Sequence, residues 1–108
     1  MNEYLVMFKA LGDKTRLRIV LMLKVKPLCV CEIREIIGSS MSTISNHLKV
    51  LKDANIITSI KVEKYINYSL NSTNNSVLEV LELLAGVDSG EIQNDIEKAM
   101  KTDRVNIC

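Results

Sequence analysis

At Asn55 the hydrophobic period of this 108-residue chain changes, and that change limits the fold more than any other feature. Before it, apolar residues recur at helical spacing. After it, Ile56 to Val62 and Tyr65 to Leu70 are rich in β-branched and aromatic residues, with Glu63-Lys64 between them. That composition predicts a two-stranded hairpin. Glu-Lys makes a poor tip, because neither residue readily takes positive φ.

Upstream, punctuation divides the chain into four helices. Leu5, Phe8 and Leu11 share a helical face, Gly12 stops that helix, and Asp13 caps the next. The second helix runs through Val25, with Leu17, Val20, Leu21 and Lys24 on related faces, and Pro27 breaks it. Cys31 to Ile37 forms a short third helix, ended by Gly38. Ser39 or Ser40 caps a fourth, in which Ile44, Leu48 and Leu51 make the buried stripe.

Beyond the polar linker Asn71 to Ser76 the chain turns helical again. Between Val77 and Ala85 only Glu79 and Glu82 are polar, too apolar a run for a helix that buries one face. A second copy of the chain would cover the remainder, so this helix and the first, through Leu5 and Phe8, are the expected dimer interface. Gly86 interrupts, and Ile92, Ile96 and Met100 mark a last amphipathic helix.

The expected fold class is therefore mainly α with a β-hairpin: a winged helix-turn-helix, dimerised through terminal helices. Residues 1–108 make one domain. The helix-turn-helix spans about 31–53, the wing about 56–70, and the dimerisation helix and tail 76–108. Charge agrees with a nucleic-acid-facing front. Residues 1–70 carry eleven Lys and Arg against six Asp and Glu, a balance of +5, whereas residues 71–108 carry three against seven.

The longest uninterrupted apolar run in the first half, Ile19 to Leu23, is fenced by Arg18 and Lys24. It is too short for a signal-peptide core or a membrane span. With three cysteines, an odd number, the expectation is a cytoplasmic protein with reduced thiols and no membrane partner.

Three stretches in register carry a family resemblance: ALGDKTRLRIVLML from Ala10 to Leu23, LCVCEI from Leu28 to Ile33, and SMSTISNHLKVLKDANII from Ser40 to Ile57. From about Phe8 to Leu70 the chain resembles the ArsR family of metalloregulatory repressors. The resemblance implies a homodimer that binds inverted-repeat double-stranded operator DNA and releases it when an inducing ion binds. Cys29-Val30-Cys31 is similar in placement to the arsenic-responsive branch. Arsenite, or antimonite, is then the implied inducer, held by three sulfurs, with no organic cofactor. Members of that branch often have Glu before the Leu-Cys pair and a third cysteine three residues after the second. Here Pro27 and Arg34 occupy those positions.

The implied metalloid ligands are Cys29, Cys31 and Cys108, with a small cellular thiol as the alternative third sulfur. Thiolates favour soft ions over hard, oxygen-loving ones. In a regular helix, residues two apart point about 200° apart. Either Cys29 lies outside the third helix, or ion binding unwinds its start. Residues 71–108 contain no histidine, which argues against a zinc site on the last helices. A thiolate-rich cadmium site would need more cysteines than the chain has.

For DNA, the fourth helix offers Ser42, Thr43, Ser45, Asn46 and His47, whose hydroxyl, amide and ring groups suit base edges and phosphates. Lys49, Lys52, Lys61 and Lys64 are candidate phosphate contacts. Met41 stands where the family often has Gln, and the wing lacks the family's Gly-Arg tip. Two other functions use the same cysteines. One is a redox or thiol-reactive sensor on this scaffold. The other is a small thiol enzyme, opposed by the absence of a nearby histidine or glycine-rich phosphate loop.

Overall fold

The computed structural model describes residues 2–86 and 90–102, the Ala85 side chain excepted. The chain folds as α1 (Asn2–Leu11), α2 (Lys14–Leu23), β1 (Leu28–Cys29), α3 (Val30–Ile37), α4 (Met41–Asp53), β2 (Ile57–Val62), β3 (Tyr65–Leu70), α5 (Asn75–Leu83), a single 3-10 turn (Leu84–Gly86) and α6 (Gly90–Lys101). This is a winged helix-turn-helix.

Helix α2 lies at the centre. Its residues Ile19 to Leu23 are all buried, which requires neighbours on every side. Helices α1, α4 and α6 and strand β3 supply them. Asp13 caps α2 as expected, its carboxylate accepting the Arg16 N–H at 3.1 Å. The helix ends at Leu23, two residues before the expected Val25, as the chain bends toward Pro27 and β1.

Gly38 closes α3 with φ of 89°, a left-handed conformation that favours glycine. Of the two candidate serines, Ser40 caps α4, and Ile44, Leu48 and Leu51 are buried against the core.

The hairpin pairs Ile57 with Leu70 through Val62 with Tyr65. Its tip forms with only Glu63 at positive φ, 58°, while Lys64 Nζ sits 5.4 Å from the Tyr65 ring centre. The sheet has a third member, absent from the sequence reading. Leu28 and Cys29 pair antiparallel with Tyr68 and Asn67, giving the order β1-β3-β2.

Helix α6 buries Ile92, Asp95 and Ala99, not the expected stripe of Ile92, Ile96 and Met100. Met100 is 66% exposed. The helix is turned so that the Asp95 carboxylate reaches Arg18 on α2, and burying that carboxylate is tolerable only with such a partner. Lys14 and Arg18 also hold Glu91, at 2.7 and 3.2 Å.

Helices α1 and α5 pack together, joined by Tyr4 Oη donating to Glu79 at 2.6 Å and Ser76 Oγ donating to Glu3 at 2.5 Å. Between them they leave Leu5, Phe8, Leu78 and Leu83 exposed. No helix among the described residues is long and apolar enough to cross a membrane.

Candidate functional site

Helix α4 presents its polar residues because its apolar ones are spent on the core. Ser42, Thr43, Ser45, Asn46 and Lys49 are exposed along it. At its start the hydroxyls of Ser40, Ser42 and Thr43 form a chain. Ser40 Oγ donates to Thr43 Oγ1 at 2.9 Å, lies 3.2 Å from Ser42 Oγ, and accepts the Thr43 N–H at 3.2 Å. These donors and the unpaired N–H groups of a helix start suit a phosphate.

His47 is placed differently from its neighbours. Its ring is mostly buried, and Arg16 Nη1 approaches Nδ1 at 3.3 Å. A guanidinium can only donate, so Nδ1 accepts and the ring is neutral in this arrangement. Arg16 Nε also donates to the Ala10 carbonyl, at 2.5 Å. His47 therefore ties α4 to the start of α2. The Arg16 N–H holds the Asp13 carboxyl below the usual carboxylate range, and Asp13 Oδ2 is 4.0 Å from the His47 ring nitrogen.

The lysines divide in the same way. Lys49 pairs with Asp53 at 3.0 Å, and Lys52 donates to Ser59 Oγ at 2.7 Å, fastening α4 to the wing. Lys61 and Lys64 are exposed on the hairpin.

Cys29 resolves the geometric alternative posed by the cysteine spacing. It is the residue immediately before α3, with extended backbone at φ −91° and ψ 169°, so it stands outside the helix. It is buried, whereas Cys31, in the first turn of α3, is partly buried. Cys108 lies outside the described residues. Among the described residues, no three His, Cys, Asp or Glu side chains come together as a metal-holding group.

Glu32 was not among the residues expected from sequence. It is only 2% exposed, yet it is a carboxylate. Oε1 accepts the Cys29 N–H at 3.0 Å, and Oε2 accepts the Thr102 hydroxyl at 2.6 Å. Lys26 Nζ donates to the Thr102 carbonyl at 3.3 Å. The available signal was Glu three residues after the position preceding a helix, half of a capping box.

Comparisons with known proteins agree with this arrangement. Residues 13–59 match the family described as bacterial regulatory protein, arsR family. The cadmium resistance transcriptional regulatory protein CadC homolog of Staphylococcus aureus is 45% identical over 65 residues, covering 59% of this chain and 54% of that protein. The arsenical resistance operon repressor of Bacillus subtilis is 40% identical over 72 residues, covering 66% of this chain and 69% of the repressor. The chain thus spans about half the length of the first relative and about two-thirds of the second. Among solved structures, reduced HlyU from Vibrio cholerae N16961 superposes with a TM-score of 0.69 at 29% identity, over 77% of this chain and 85% of HlyU. With its helix-turn-helix, its wing and these matches in register, the chain belongs to the ArsR family of bacterial regulatory proteins.

Proposed function

We propose that this regulator is a cytoplasmic, homodimeric repressor of a metalloid-resistance operon, released from its operator when trivalent arsenic, or antimony, binds cysteine thiolates. One observation carries the reading. Cys29 directly precedes α3, the helix packed on α4, and its backbone pairs with the wing strand β3. A soft ion bound there acts at the joint between the two elements that would face DNA.

The donor set fits the ion. Cys29 and Cys31 supply two sulfurs, and Cys108 is the remaining cysteine of the sequence. Each thiol proton leaves with an arsenite hydroxyl as water, so three thiols and one arsenite give three As–S bonds and three waters. Arsenic stays trivalent throughout. By linkage, the ion binds the DNA-free form more tightly by the same factor as it weakens operator binding.

On the DNA side, Ser42, Thr43, Ser45 and Asn46 read the major groove, and His47 supports α4 from behind. Lys49, Lys61 and Lys64 meet phosphates. Helices α1 and α5, with Leu5, Phe8 and Leu78 exposed, form the dimer face.

Cadmium is the second reading, favoured by the name of the Staphylococcus aureus relative. It requires a ligand beyond the chain's three cysteines, because a thiolate-rich site of four ligands cannot be filled by them alone. The test is a titration of arsenite, antimonite, cadmium and zinc against the protein bound to an inverted-repeat duplex, under reducing conditions. Release by arsenite at a lower concentration than cadmium supports the first reading. The opposite order replaces it with the second, and no release by any of the four overturns both.

A further inference from the structure

Resting on this reading, we infer that Glu32 and Thr102 are positioning residues that hold the end of α6 beside the thiol pair, so that Cys108 of the same subunit supplies the third sulfur. A carboxylate with 2% exposure is costly unless each oxygen has a partner. Glu32 has one on each side of the site: the Cys29 N–H on Oε1 and the Thr102 hydroxyl on Oε2. One side chain thereby joins the backbone of a ligand residue to the last residue before the tail.

The clamp is doubled and specific to that end of the helix. Lys26, just ahead of β1, holds the Thr102 carbonyl at 3.3 Å, and the Thr102 hydroxyl lies 3.2 Å from the Ala99 carbonyl. The other end of α6 is held separately, by Arg18 and Lys14 on Asp95 and Glu91. With both ends fixed, the tail begins within a side-chain length of the ligand-bearing turn.

Six residues separate Thr102 from Cys108 in sequence order, counting Cys108 itself. A chain of that length spans at most about 20 Å when fully extended. Its own Cys29 and Cys31 are therefore well within reach. Delivery to a partner subunit would take each tail away from the clamp that starts it at its own site.

Thr102→Val removes the hydroxyl and keeps the size, without touching a sulfur or the DNA face. X-ray absorption on arsenite-loaded protein in thiol-free buffer reads the sulfur count. Three sulfurs are expected in the wild type and in Thr102→Ser, and two in Thr102→Val and Cys108→Ser. Loss of such a supporting bond should lower arsenite affinity by roughly tenfold to a hundredfold. Glu32→Gln should fall in the same direction, but Thr102→Val decides the matter if that variant does not fold.

A second arm tests the subunit. Cys29→Ser/Cys31→Ser chains are co-expressed with Cys108→Ser chains, and the mixed assembly is isolated on two tags. Two sulfurs at most, or no mixed assembly, supports supply within one chain; three sulfurs overturns it. Three sulfurs and unchanged affinity in Thr102→Val would remove the clamp while leaving the sensing function standing. A wild type that forms no As–S bonds takes both down.

Discussion

The Arg18 guanidinium lies along the Asp95 carboxylate, Nε to Oδ2 at 2.8 Å and Nη2 to Oδ1 at 2.9 Å. The pair joins α2 to α6 and raises the Arg18 pKa further above its ordinary value through those bonds. The Asp95 side chain is 3% exposed. Removing one member of such a pair strands the other, at a cost of about 3–5 kcal/mol. Asp95→Ala should fall at the lower end, about 3 kcal/mol, because Glu91 remains 3.2 Å from Arg18. Urea unfolding followed by circular dichroism measures it, and a loss below about 1 kcal/mol would show the pair to be dispensable.

Asp13 should contribute to acid sensitivity. Its carboxyl is held below the usual carboxylate range, chiefly by the Arg16 N–H. The folded state therefore binds fewer protons there than the unfolded chain. The resulting stability is complete above the ordinary carboxylate pKa of about 4 and is lost as pH falls through the depressed value. Asp13→Asn keeps a capping side chain but no titration, so its stability should fall less steeply between about pH 4 and pH 2. Identical acid limbs in the two proteins would assign the sensitivity elsewhere.

Asn46 is exposed on α4, where an amide can pair with a base edge. Asn46→Ala should weaken operator binding by about 1–3 kcal/mol while leaving binding to unrelated duplex nearly unchanged. Titrations on both duplexes at one salt concentration make the comparison. Equal losses would reassign Asn46 to the DNA backbone or to folding.

Cys29→Ser and Cys31→Ser should each still hold the operator but fail to release it with arsenite, since a hydroxyl is a hard ligand. Gel-shift titration reads this directly. An arsenite response that survives loss of both cysteines would remove them from the sensor.

Phe8 is 52% exposed on α1. Phe8→Glu should drive the protein to monomer and weaken operator binding with it, because paired half-sites need paired subunits. Sedimentation velocity at micromolar concentration tests the first effect. A dimer that persists with unchanged affinity would place the interface elsewhere.

Local chemistry made the first half of the fold legible. Asp13, Gly38 and Ser40 are caps and stops whose effects reach a few residues, and each acts at its expected place. Strand β1 was invisible because two residues carry no period. Leu28 and Cys29 are a strand only because Tyr68 and Asn67 are there to pair with them. The face of α6 was misjudged by apolar spacing alone, since Arg18 on a distant helix recruits Asp95 inward. The same limit hid the role of Glu32. Its capping position is local, but Thr102, the partner that joins it to α6, is seventy residues away.

The short pairing of Cys29 with Asn67 makes the wing a lever with its fulcrum at the thiol segment. From Asn67 to the tip at Lys64 is three residues, roughly 10 Å of strand. A tilt of roughly 10° at the fulcrum would carry the tip by roughly 2 Å, enough to part a lysine from a phosphate oxygen. An ion that shifts Cys29 slightly would thus move Lys61 and Lys64 further than it moves itself, and the wing would amplify what the cysteines detect.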